Sequence, residues 1–537
     1  LLAVAMVCAM AIPAFAYEPW ETEEDLNKNH DYIAFQIFKG VISSKDNPTL
    51  SGVTWGSHIT HPDDFLEKLK DAPIIGAQFQ SIDAIDATDA TDAATVQKVL
   101  AVISQWSDSD DDSISFARFV CHYLYPDANA NPTPVATDHT GGINIPKSGY
   151  YLIVDTSTFS DDDFYHAYNS FFLLNVPQTP YVVLVNHKVV KPTVEKKVYD
   201  NDDIGSTGEN NDWGSSADHA INEKFQFQLI AKLPAGRDEG RAYDYYKEYA
   251  VCFTDTLSDG ITFDKLDTVE ITNGDGSTPQ VINNYTLDPN DPQSSFKLSI
   301  DNVKTCVPDL NKGATITVTY TAHLNENATV NTEGGSNTTD NKNSVFLQYS
   351  NNPRIDTSLD QTPTSEVRVY TYQLNNTKYR DEVNENNKLE GAGFRLYSNE
   401  ACTEEQEVKL YKKGNFYYPI KDATDKAQDA VEMFSDEHGQ FNVKGLDAGT
   451  YYLKETTPPS GYSACANKEI VISATHDVNH VELDSSKLST TIINKKAGGI
   501  TLPSTGGIGT TLFYVIGGGL MAVAAVLLVT KKRMNNK

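Results

Sequence analysis

The chain has 537 residues, which is too long for one hydrophobic core and suits about three or four domains. Acidic residues outnumber basic ones by 73 to 43, so the formal net charge is −30, which excludes a nucleic-acid-binding surface of clustered cations. Hydrophobic residues make up 39% of the chain, so sizeable cores are available and general disorder is excluded.

The first residues have the features of the remainder of a secretory signal peptide. Residues 1–16 are apolar and end in the small-x-small sequence Ala14-Phe15-Ala16, and a polar region starts at Tyr17. Signal peptidase requires such a sequence, and the apolar run is too short to span a bilayer. The sequence therefore predicts a signal peptide with a truncated start over 1–16, and export of the chain from Tyr17 onward.

The C-terminal region, 501–537, combines a pentapeptide, an apolar run and a basic tail. The run from 508 to 530 is long enough for a transmembrane helix, and the basic residues 531–533 predict that everything before it lies outside the cell. The pentapeptide consists of Leu502, Pro503, Ser504, Thr505 and Gly506.

These three parts in this order resemble the cell-wall sorting signal of Gram-positive bacteria. The resemblance implies that a sortase cleaves between Thr505 and Gly506 and passes the Thr505 carbonyl to an amine, which links the chain to peptidoglycan. A simple tail-anchored membrane protein is the alternative.

Proline and glycine residues divide the intervening chain into three segments, 17–187, 188–360 and 361–500. Helical spacing of apolar residues at 96–103 and 116–123 predicts a mixed α+β first domain. Short strands between turns dominate the other two segments, which is typical of β-sandwiches. The predicted fold class is mainly β, with tandem immunoglobulin-like sandwiches after the mixed domain. Strands are expected at 31–38, 149–154, 224–231, 249–253, 315–321, 345–349, 393–397, 440–443, 450–454 and 469–472.

Three predicted strands of the second segment each present one polar residue among apolar ones: Lys196, Asp255 and Asn351. Burial lowers the pKa of a lysine and makes its amine nucleophilic, while a protonated aspartic acid in an apolar core polarises an amide. The set suits an amide bond between Lys196 and Asn351 with loss of ammonia. An edge lysine whose amine reaches water is the alternative.

The sequence around these residues resembles the fimbrial isopeptide-formation domain of Gram-positive pilins. The similar stretches are 196–198, Lys-Lys-Val, then 254–263, Thr-Asp-Thr-Leu-Ser-Asp-Gly-Ile-Thr-Phe, and 349–353, Tyr-Ser-Asn-Asn-Pro. The resemblance implies the same two bond partners, with Asp255 as the catalytic acid. The competing candidates are Lys197, Asn352, Asn343 and Asp244.

Residues 451–462, Tyr-Tyr-Leu-Lys-Glu-Thr-Thr-Pro-Pro-Ser-Gly-Tyr, resemble the pilin E-box, with Pro458 in place of its alanine. The resemblance implies that Glu455 catalyses an amide bond between Lys378 of the first strand and Asn494 of the last strand. A salt bridge between Glu455 and Lys378 without a covalent bond is the alternative.

The end of the first segment, Val183–Lys188, resembles the last part of the pilin motif, Val-x-Val-Tyr-Pro-Lys, with Asn186 and His187 replacing Tyr and Pro. The resemblance implies that Lys188 is the amine that takes the Thr505 acyl group of another subunit. Lys191 is the competing candidate.

The cysteines suit an extracellular protein, because two candidate disulfides, Cys252 with Cys306 and Cys402 with Cys465, fall within single segments. Cys121 would be left over and buried in a helix. No Cys/His zinc spacing is seen, and the acidic run 108–112 lacks the Gly and Glu of a calcium loop, so neither a metal nor a cofactor is predicted.

The chain as a whole resembles the backbone subunit of a sortase-assembled pilus. This implies a structural protein, not an enzyme apart from forming its own amide bonds. Its partners would be sortases, identical subunits joined head to tail, peptidoglycan, and candidate minor pilins and host surface ligands. A monomeric wall-anchored adhesin is the second interpretation and a wall-anchored hydrolase the third. No amide bond is expected in the first segment, where only Asp155 lies near the required place.

Overall fold

A computed structural model describes the main body of the chain. The described residues are 31–42, 50–83, 93–107, 111–126, 134, 136–138, 142–156, 171–176, 181–184, 191–201, 213–235, 242–289, 294–336, 341–423 and 429–496. The predicted signal peptide, sorting signal and membrane span, and Lys188, lie outside them. Within these ranges no helix has the length and apolar character needed to cross a membrane.

The first part of the chain packs three helices against a five-stranded sheet in which β2, β1, β5 and β6 are neighbours and β3 also pairs with β1. Both predicted helices are confirmed, because their apolar spacing buries one face of each against the sheet. The elements are β1 (Tyr32–Ile42), β2 (Leu50–Trp55), α1 (Pro62–Lys70), α2 (Ala93–Ile103), α3 (Asp111–Leu124), β3 (Ala136–Asp138), β4 (Gly142–Ile145), β5 (Gly149–Asp155), β6 (Phe171–Val176) and β7 (Tyr181–Leu184).

The second part is a sandwich of a six-stranded and a seven-stranded sheet with a common core between them, and it has one further strand outside these two sheets. Its strands are β8 (Thr193–Tyr199), β9 (Trp213–Gly214), β10 (Ser216–Asp218), β11 (Lys224–Leu233), β12 (Val251–Leu257), β13 (Ile261–Asn273), β14 (Gln280–Val281), β15 (Thr286–Asp288), β16 (Phe296–Ile300), β17 (Ala314–Leu324), β18 (Gly335–Ser336), β19 (Lys342–Ser350), β20 (Leu359–Gln361) and β21 (Ser365–Tyr370). β21 pairs with β19, so this sandwich extends past the predicted boundary at 360.

The third part is a smaller sandwich of two five-stranded sheets, with two further strands that belong to a separate three-stranded sheet. Its strands are β22 (Tyr372–Arg380), β23 (Gly393–Tyr397), β24 (Glu407–Val408), β25 (Leu410–Lys413), β26 (Phe416–Pro419), β27 (Met433–Phe434), β28 (Asn442–Leu446), β29 (Gly449–Thr457), β30 (Lys468–Ile472), β31 (Ala474–His476), β32 (His480–Leu483) and β33 (Ser489–Asn494). The first and last strands, β22 and β33, lie side by side and parallel.

The two sandwiches are joined by more than the chain between β21 and β22. β18 of the second pairs with β32 of the third, and Tyr411 and Tyr418 of the third contribute to the core of the second. The predicted fold class, mainly β sandwiches after a mixed α+β part, is confirmed.

Candidate amide-bond sites

The first candidate site lies in the core of the second sandwich. Lys196 on β8 and Asp255 on β12 come from facing sheets, and strand alternation points both side chains inward, where they are fully buried. Lys196 Nζ forms an ion pair with Asp255 Oδ2. The Tyr320 hydroxyl on β17 lies 3.1 Å from Nζ and donates to Asp255 Oδ2 over 3.2 Å.

Burial moves the pKa values of this pair toward the neutral forms. Desolvation lowers the pKa of Lys196 to about 8, against the opposing attraction of Asp255. Desolvation also raises the pKa of Asp255, against the opposing effect of Lys196. A neutral amine is a nucleophile and a protonated carboxyl is a hydrogen-bond donor, so both shifts favour the forms that amide formation needs.

The carboxamide at this site belongs to Asn343. It is fully buried, and its Nδ2 donates to the Tyr320 hydroxyl over 2.6 Å. Asp255 pairs with Val345 across β12 and β19, so Asn343, two residues away, shares the inward face next to the acid.

The prediction that Asn351 lies beside Lys196 is wrong. β19 ends at Ser350, and Asn351 lies six residues from the partner of Asp255, or about 20 Å along an extended strand. The Asn351 side chain accepts a hydrogen bond from Ser358 Oγ over 2.8 Å. Alternation along this strand admits an inward residue at either end, and the sequence alone favoured the incorrect end.

The other competing candidates lie elsewhere. Lys197 is on the opposite face of β8, 3.5 Å from Glu195. Asn352 accepts a hydrogen bond from the backbone N–H of Arg354, and Asp244 accepts one from Asn311 Nδ2 over 2.8 Å. Tyr320 was missed by the sequence analysis, although it is one residue of a predicted strand.

The second candidate site lies in the third sandwich and holds Lys378 on β22, Glu455 on β29 and Asn494 on β33. All three side chains are buried. Lys378 Nζ donates to Asn494 Oδ1 and lies 3.3 Å from Glu455 Oε1, while Asn494 Nδ2 donates to the same Oε1 over 2.7 Å. The structure thus brings together the three residues that the E-box resemblance implies.

Two further contacts fix this site. The backbone N–H of Cys465 donates to Glu455 Oε2 over 2.7 Å, which holds the carboxylate in place, and no side-chain pattern could have predicted it. Asn376 replaces the usual apolar residue two positions before Lys378, and it is buried because Thr490 Oγ1 and the Phe441 carbonyl satisfy its side chain. Desolvation lowers the pKa of Lys378.

Within the described ranges, buried lysines are confined to these two sites. Among the residues that the structure describes, Lys196 and Lys378 are the only buried lysines, and each lies beside a buried acid and a buried carboxamide. A lysine is rarely buried without a partner, because its charge is costly to desolvate. In the first part of the chain Asp155 is buried, but no described lysine there is.

The candidate disulfides are contradicted. All five cysteines in the described ranges are free thiols. Two of the predicted partners make other contacts: Cys306 Sγ lies 3.9 Å from the Asn302 carbonyl, and Cys402 Sγ accepts from Asn467 Nδ2 over 3.3 Å. Cys121 is buried on α3 as expected, and desolvation raises its pKa to about 12.

The candidate linkage residues Lys188 and Thr505, with the rest of the sorting signal, lie outside the described residues. Lys191, the competing amine, forms an ion pair with Asp360 at 3.6 Å, and desolvation lowers its pKa. Side chains that could hold a metal ion meet at two places among the described residues, at Asp200, Asp218 and His476, and at His219, Glu223 and Asp447.

Two family models match the C-terminal part of the chain. The SpaA prealbumin-like fold domain matches residues 372–487, which include most of the third sandwich, and the LPXTG cell wall anchor motif matches residues 494–536. No curated protein matches the chain.

Solved structures similar to this chain include three major pilins. The T6 backbone pilin of Streptococcus pyogenes is 15% identical to this chain. The match covers 88% of this chain and 97% of the pilin chain, with a TM-score of 0.45. SpaD of Corynebacterium diphtheriae is 20% identical, and the match covers 66% of this chain and 77% of SpaD, with a TM-score of 0.39. RrgB of Streptococcus pneumoniae is 15% identical, and the match covers 69% of this chain and 89% of RrgB, with a TM-score of 0.38.

The anchor motif implies processing by a sortase and attachment to peptidoglycan. A SpaA-type domain followed directly by this motif supports the predicted sortase-assembled backbone pilin and confirms the predicted location at the cell wall of a Gram-positive bacterium.

Proposed function

We propose that this chain is the shaft subunit of a covalently polymerised pilus, and that each of its two sandwiches is closed by an intramolecular Lys–Asn amide bond. The observation that carries the proposal is the pair of buried lysines, each in contact with a buried acid and near a buried carboxamide. The bonds assigned are Lys196 to Asn343 and Lys378 to Asn494.

The reaction is the same at both sites. The neutral lysine Nζ attacks Cγ of the asparagine, a new C–N bond forms, and the Cγ–Nδ2 bond breaks. The proton lost by the amine leaves with the amide nitrogen as ammonia, so no other reactant is needed. The buried acid polarises the carboxamide by donating a proton to it and recovers the proton when the intermediate collapses.

The two acids differ in how they are supported. Asp255 receives a hydrogen bond from Tyr320, which also lies within hydrogen-bond distance of the amine and the carboxamide. Glu455 Oε1 contacts both reacting side chains directly, while its Oε2 is held by the Cys465 N–H. In both cases the reacting groups are positioned before reaction, which is the main contribution a protein can make to such a step.

The positions of the bonds suit a protein under tension. A force that enters before β8 and leaves after β33 would pass from Lys196 across the first amide to Asn343, and from Lys378 across the second to Asn494. The chain between each pair, which contains most of each sandwich, then lies outside the loaded path. Strand separation could not proceed without breaking a covalent bond.

Lys188 is proposed as the amine that receives the Thr505 acyl group of the next subunit. Lys191 is less suited to this role because its amine forms an ion pair with Asp360 and is partly buried. Linkage of a C-terminal carbonyl to an amine near the start of the second sandwich joins subunits head to tail. Such a heterologous contact does not close and produces a filament.

The test is gel analysis of cell-wall extracts from a host that expresses a pilus-class sortase. Wild-type protein is expected to give a ladder of detergent-resistant, high-mass species, and Lys188→Ala is expected to give only wall-anchored monomer. Persistence of the ladder in Lys188→Ala and its loss in Lys191→Ala would move the linkage to Lys191. If wild-type protein gives no ladder, the monomeric adhesin is the better interpretation.

A further inference from the structure

A second cluster of buried ionisable groups lies between the second and third sandwiches. Asp200 directly follows β8, Asp218 ends β10, and His476 ends β31 of the third sandwich. Their side chains are between 0% and 3% exposed. His476 Nε2 lies 3.9 Å from Asp200 Oδ2 and 3.8 Å from Asp218 Oδ2, and one ligand atom from each residue lies within 4.8 Å of the other two.

The hydrogen bonds of Ser216 determine which imidazole nitrogen carries the proton. Ser216 Oγ donates its hydrogen to the His476 carbonyl over 3.3 Å, so its oxygen is left to accept from His476 Nδ1 at 2.9 Å. With Nδ1 carrying the proton, Nε2 is the nitrogen left to bind a ligand, and it is the nitrogen that faces the two carboxylates.

This arrangement suits a cation. His476 Nε2 is buried and has no hydrogen-bond partner among the described residues. A buried nitrogen in this state is unfavourable, because it is neither solvated nor paired. A metal ion bound between the three residues would give Nε2 a partner beside the two carboxylates.

We propose that Asp200, Asp218 and His476 bind a divalent transition-metal ion of the zinc class, which joins the second sandwich to the third. One imidazole and two carboxylates are ligands that such an ion accepts, and their charges balance those of the cation. Zinc–ligand bonds of about 2.0–2.2 Å place neighbouring ligand atoms roughly 3–4 Å apart, and the separations of 3.8 and 3.9 Å from His476 Nε2 lie within that range. Three protein ligands leave one coordination position for water.

Neighbouring groups hold the ligands in place through hydrogen bonds, as commonly happens around metal sites. Ser216 orients the imidazole through Nδ1, and the Tyr372 hydroxyl donates to Asp218 Oδ2 over 2.7 Å. The segment that carries His476 is also fixed to β21, because the Tyr370 hydroxyl donates to the Asp477 carbonyl over 2.8 Å.

The ligands come from both sides of the connection between β21 and β22, so a bound ion would restrict bending there. This role is separate from the amide bonds, which lie inside each sandwich. It would make the two sandwiches one stiff unit of the shaft.

The test uses the full-length chain, extracted in detergent from a host without sortases and stripped of metal with a chelator. Zinc chloride alone is titrated by calorimetry, and bound zinc is measured by mass spectrometry after dialysis. Wild-type protein is expected to retain one zinc ion per chain and to unfold at a higher temperature with zinc than without it. Asp200→Asn and His476→Gln are expected to lose this binding and the thermal shift.

Two further variants make the result specific. Ser216→Ala is expected to weaken zinc binding by about 10- to 100-fold, as loss of a ligand's hydrogen-bond partner does elsewhere. His438→Gln is the matched control, because His438 is exposed on the same sandwich, and it should bind zinc as wild type does. Circular dichroism of each metal-free variant checks folding, and a misfolded His476→Gln would leave Asp200→Asn and Ser216→Ala to decide. Wild-type protein that binds no zinc, or folded ligand variants that bind zinc as well as wild type does, would overturn the proposal. A proton shared among the side chains of the cluster would then occupy the site.

Discussion

Asn343 Nδ2 lies 2.6 Å from the hydroxyl oxygen of Tyr320, and the same oxygen lies 3.1 Å from Lys196 Nζ. The carboxamide and the amine therefore meet at one tyrosine, although they come from β19 and β8 in opposite sheets. Burial raises the pKa of Tyr320 well above its usual value, so it keeps its proton at neutral pH and can donate to Asp255. This relationship supports the proposal that Asn343 is the bond partner of Lys196.

Intact-mass measurement should detect both proposed bonds. The full-length protein, purified after export, is expected to weigh less than its processed sequence by two ammonia molecules. Asn343→Ala is expected to lose only one, because the carboxamide that Lys196 attacks is absent.

The matched control is Asn351→Ala, which removes a carboxamide just beyond the far end of the same strand. It should still lose two ammonia molecules. If Asn351→Ala loses one and Asn343→Ala loses two, the assignment in the second sandwich is reversed. A wild-type mass without any loss would mean that neither bond forms.

The buried acids should act independently in the two sandwiches. Asp255→Asn is expected to prevent loss of ammonia in the second sandwich and Glu455→Gln in the third, because an amide cannot deliver the proton that polarises the carboxamide. Each single variant should lose one ammonia molecule and the double variant none. Peptide mapping after protease digestion locates the remaining branched peptide. A branched peptide at the mutated site would show that the acid is dispensable.

Strand alternation predicted much of both sites. It placed Lys196 and Asp255 inward, and the burial patterns of β8 and β12 agree with it. Alternation describes only which face of a strand a residue occupies. Asn343 and Asn351 are eight positions apart, an even number, so alternation assigns them the same face and could not decide between them. That choice depends on where β19 ends and on its register with β12.

Other features depend on contacts between distant parts of the chain. The free thiols of Cys402 and Cys465 reflect side-chain placement, which spacing within a segment does not determine. The histidine of the Asp200, Asp218 and His476 cluster comes from a different sandwich, so no ligand spacing in the sequence indicates it. By contrast, the E-box predicted the third-sandwich site closely, because it specifies a long motif on one strand.

Loss of the third-sandwich bond should lower stability strongly. The proposed amide would close the loop between positions that are 116 residues apart, and by the loop-entropy estimate such a crosslink stabilises by about 4–5 kcal/mol. Lys378→Met is therefore expected to lower the unfolding temperature of this sandwich by about 15–25 °C and to expose it to trypsin.

Lys378→Met also leaves Glu455 without its cation, so Glu455→Gln provides a second unbonded variant that keeps the lysine. Both should be destabilised, whereas Lys468→Met, at an exposed lysine of β30, should behave as wild type. Calorimetry of the full-length chain gives the unfolding temperature of each variant. Equal melting of wild type and both unbonded variants would mean that the bond contributes nothing to stability.

The pH dependence of an unligated second sandwich should reveal the buried amine. In Asn343→Ala the bond cannot form, so Lys196 keeps an ionisable amine whose pKa falls from 10.5 in the unfolded chain to about 8 in the folded one. Between these pH values the unfolded chain binds more protons than the folded protein, so the free energy of unfolding should rise with pH, by up to about 1.4 kcal/mol per pH unit. Below the folded pKa the amine is protonated in both states, and this contribution to the slope disappears.

The reference for this measurement is the double variant Lys196→Met/Asn343→Ala, which shares the missing carboxamide but has no amine at the site. Subtracting its free energy of unfolding, measured with urea, from that of Asn343→Ala removes the titration of all the exposed lysines and tyrosines. The difference should change in favour of Asn343→Ala as the pH rises from 8 to 10.5. A difference that stays flat over this range and falls only above pH 10.5 would mean that attraction to Asp255 outweighs desolvation and keeps the amine charged. The nucleophile would then require proton transfer to Asp255 before it could attack Asn343.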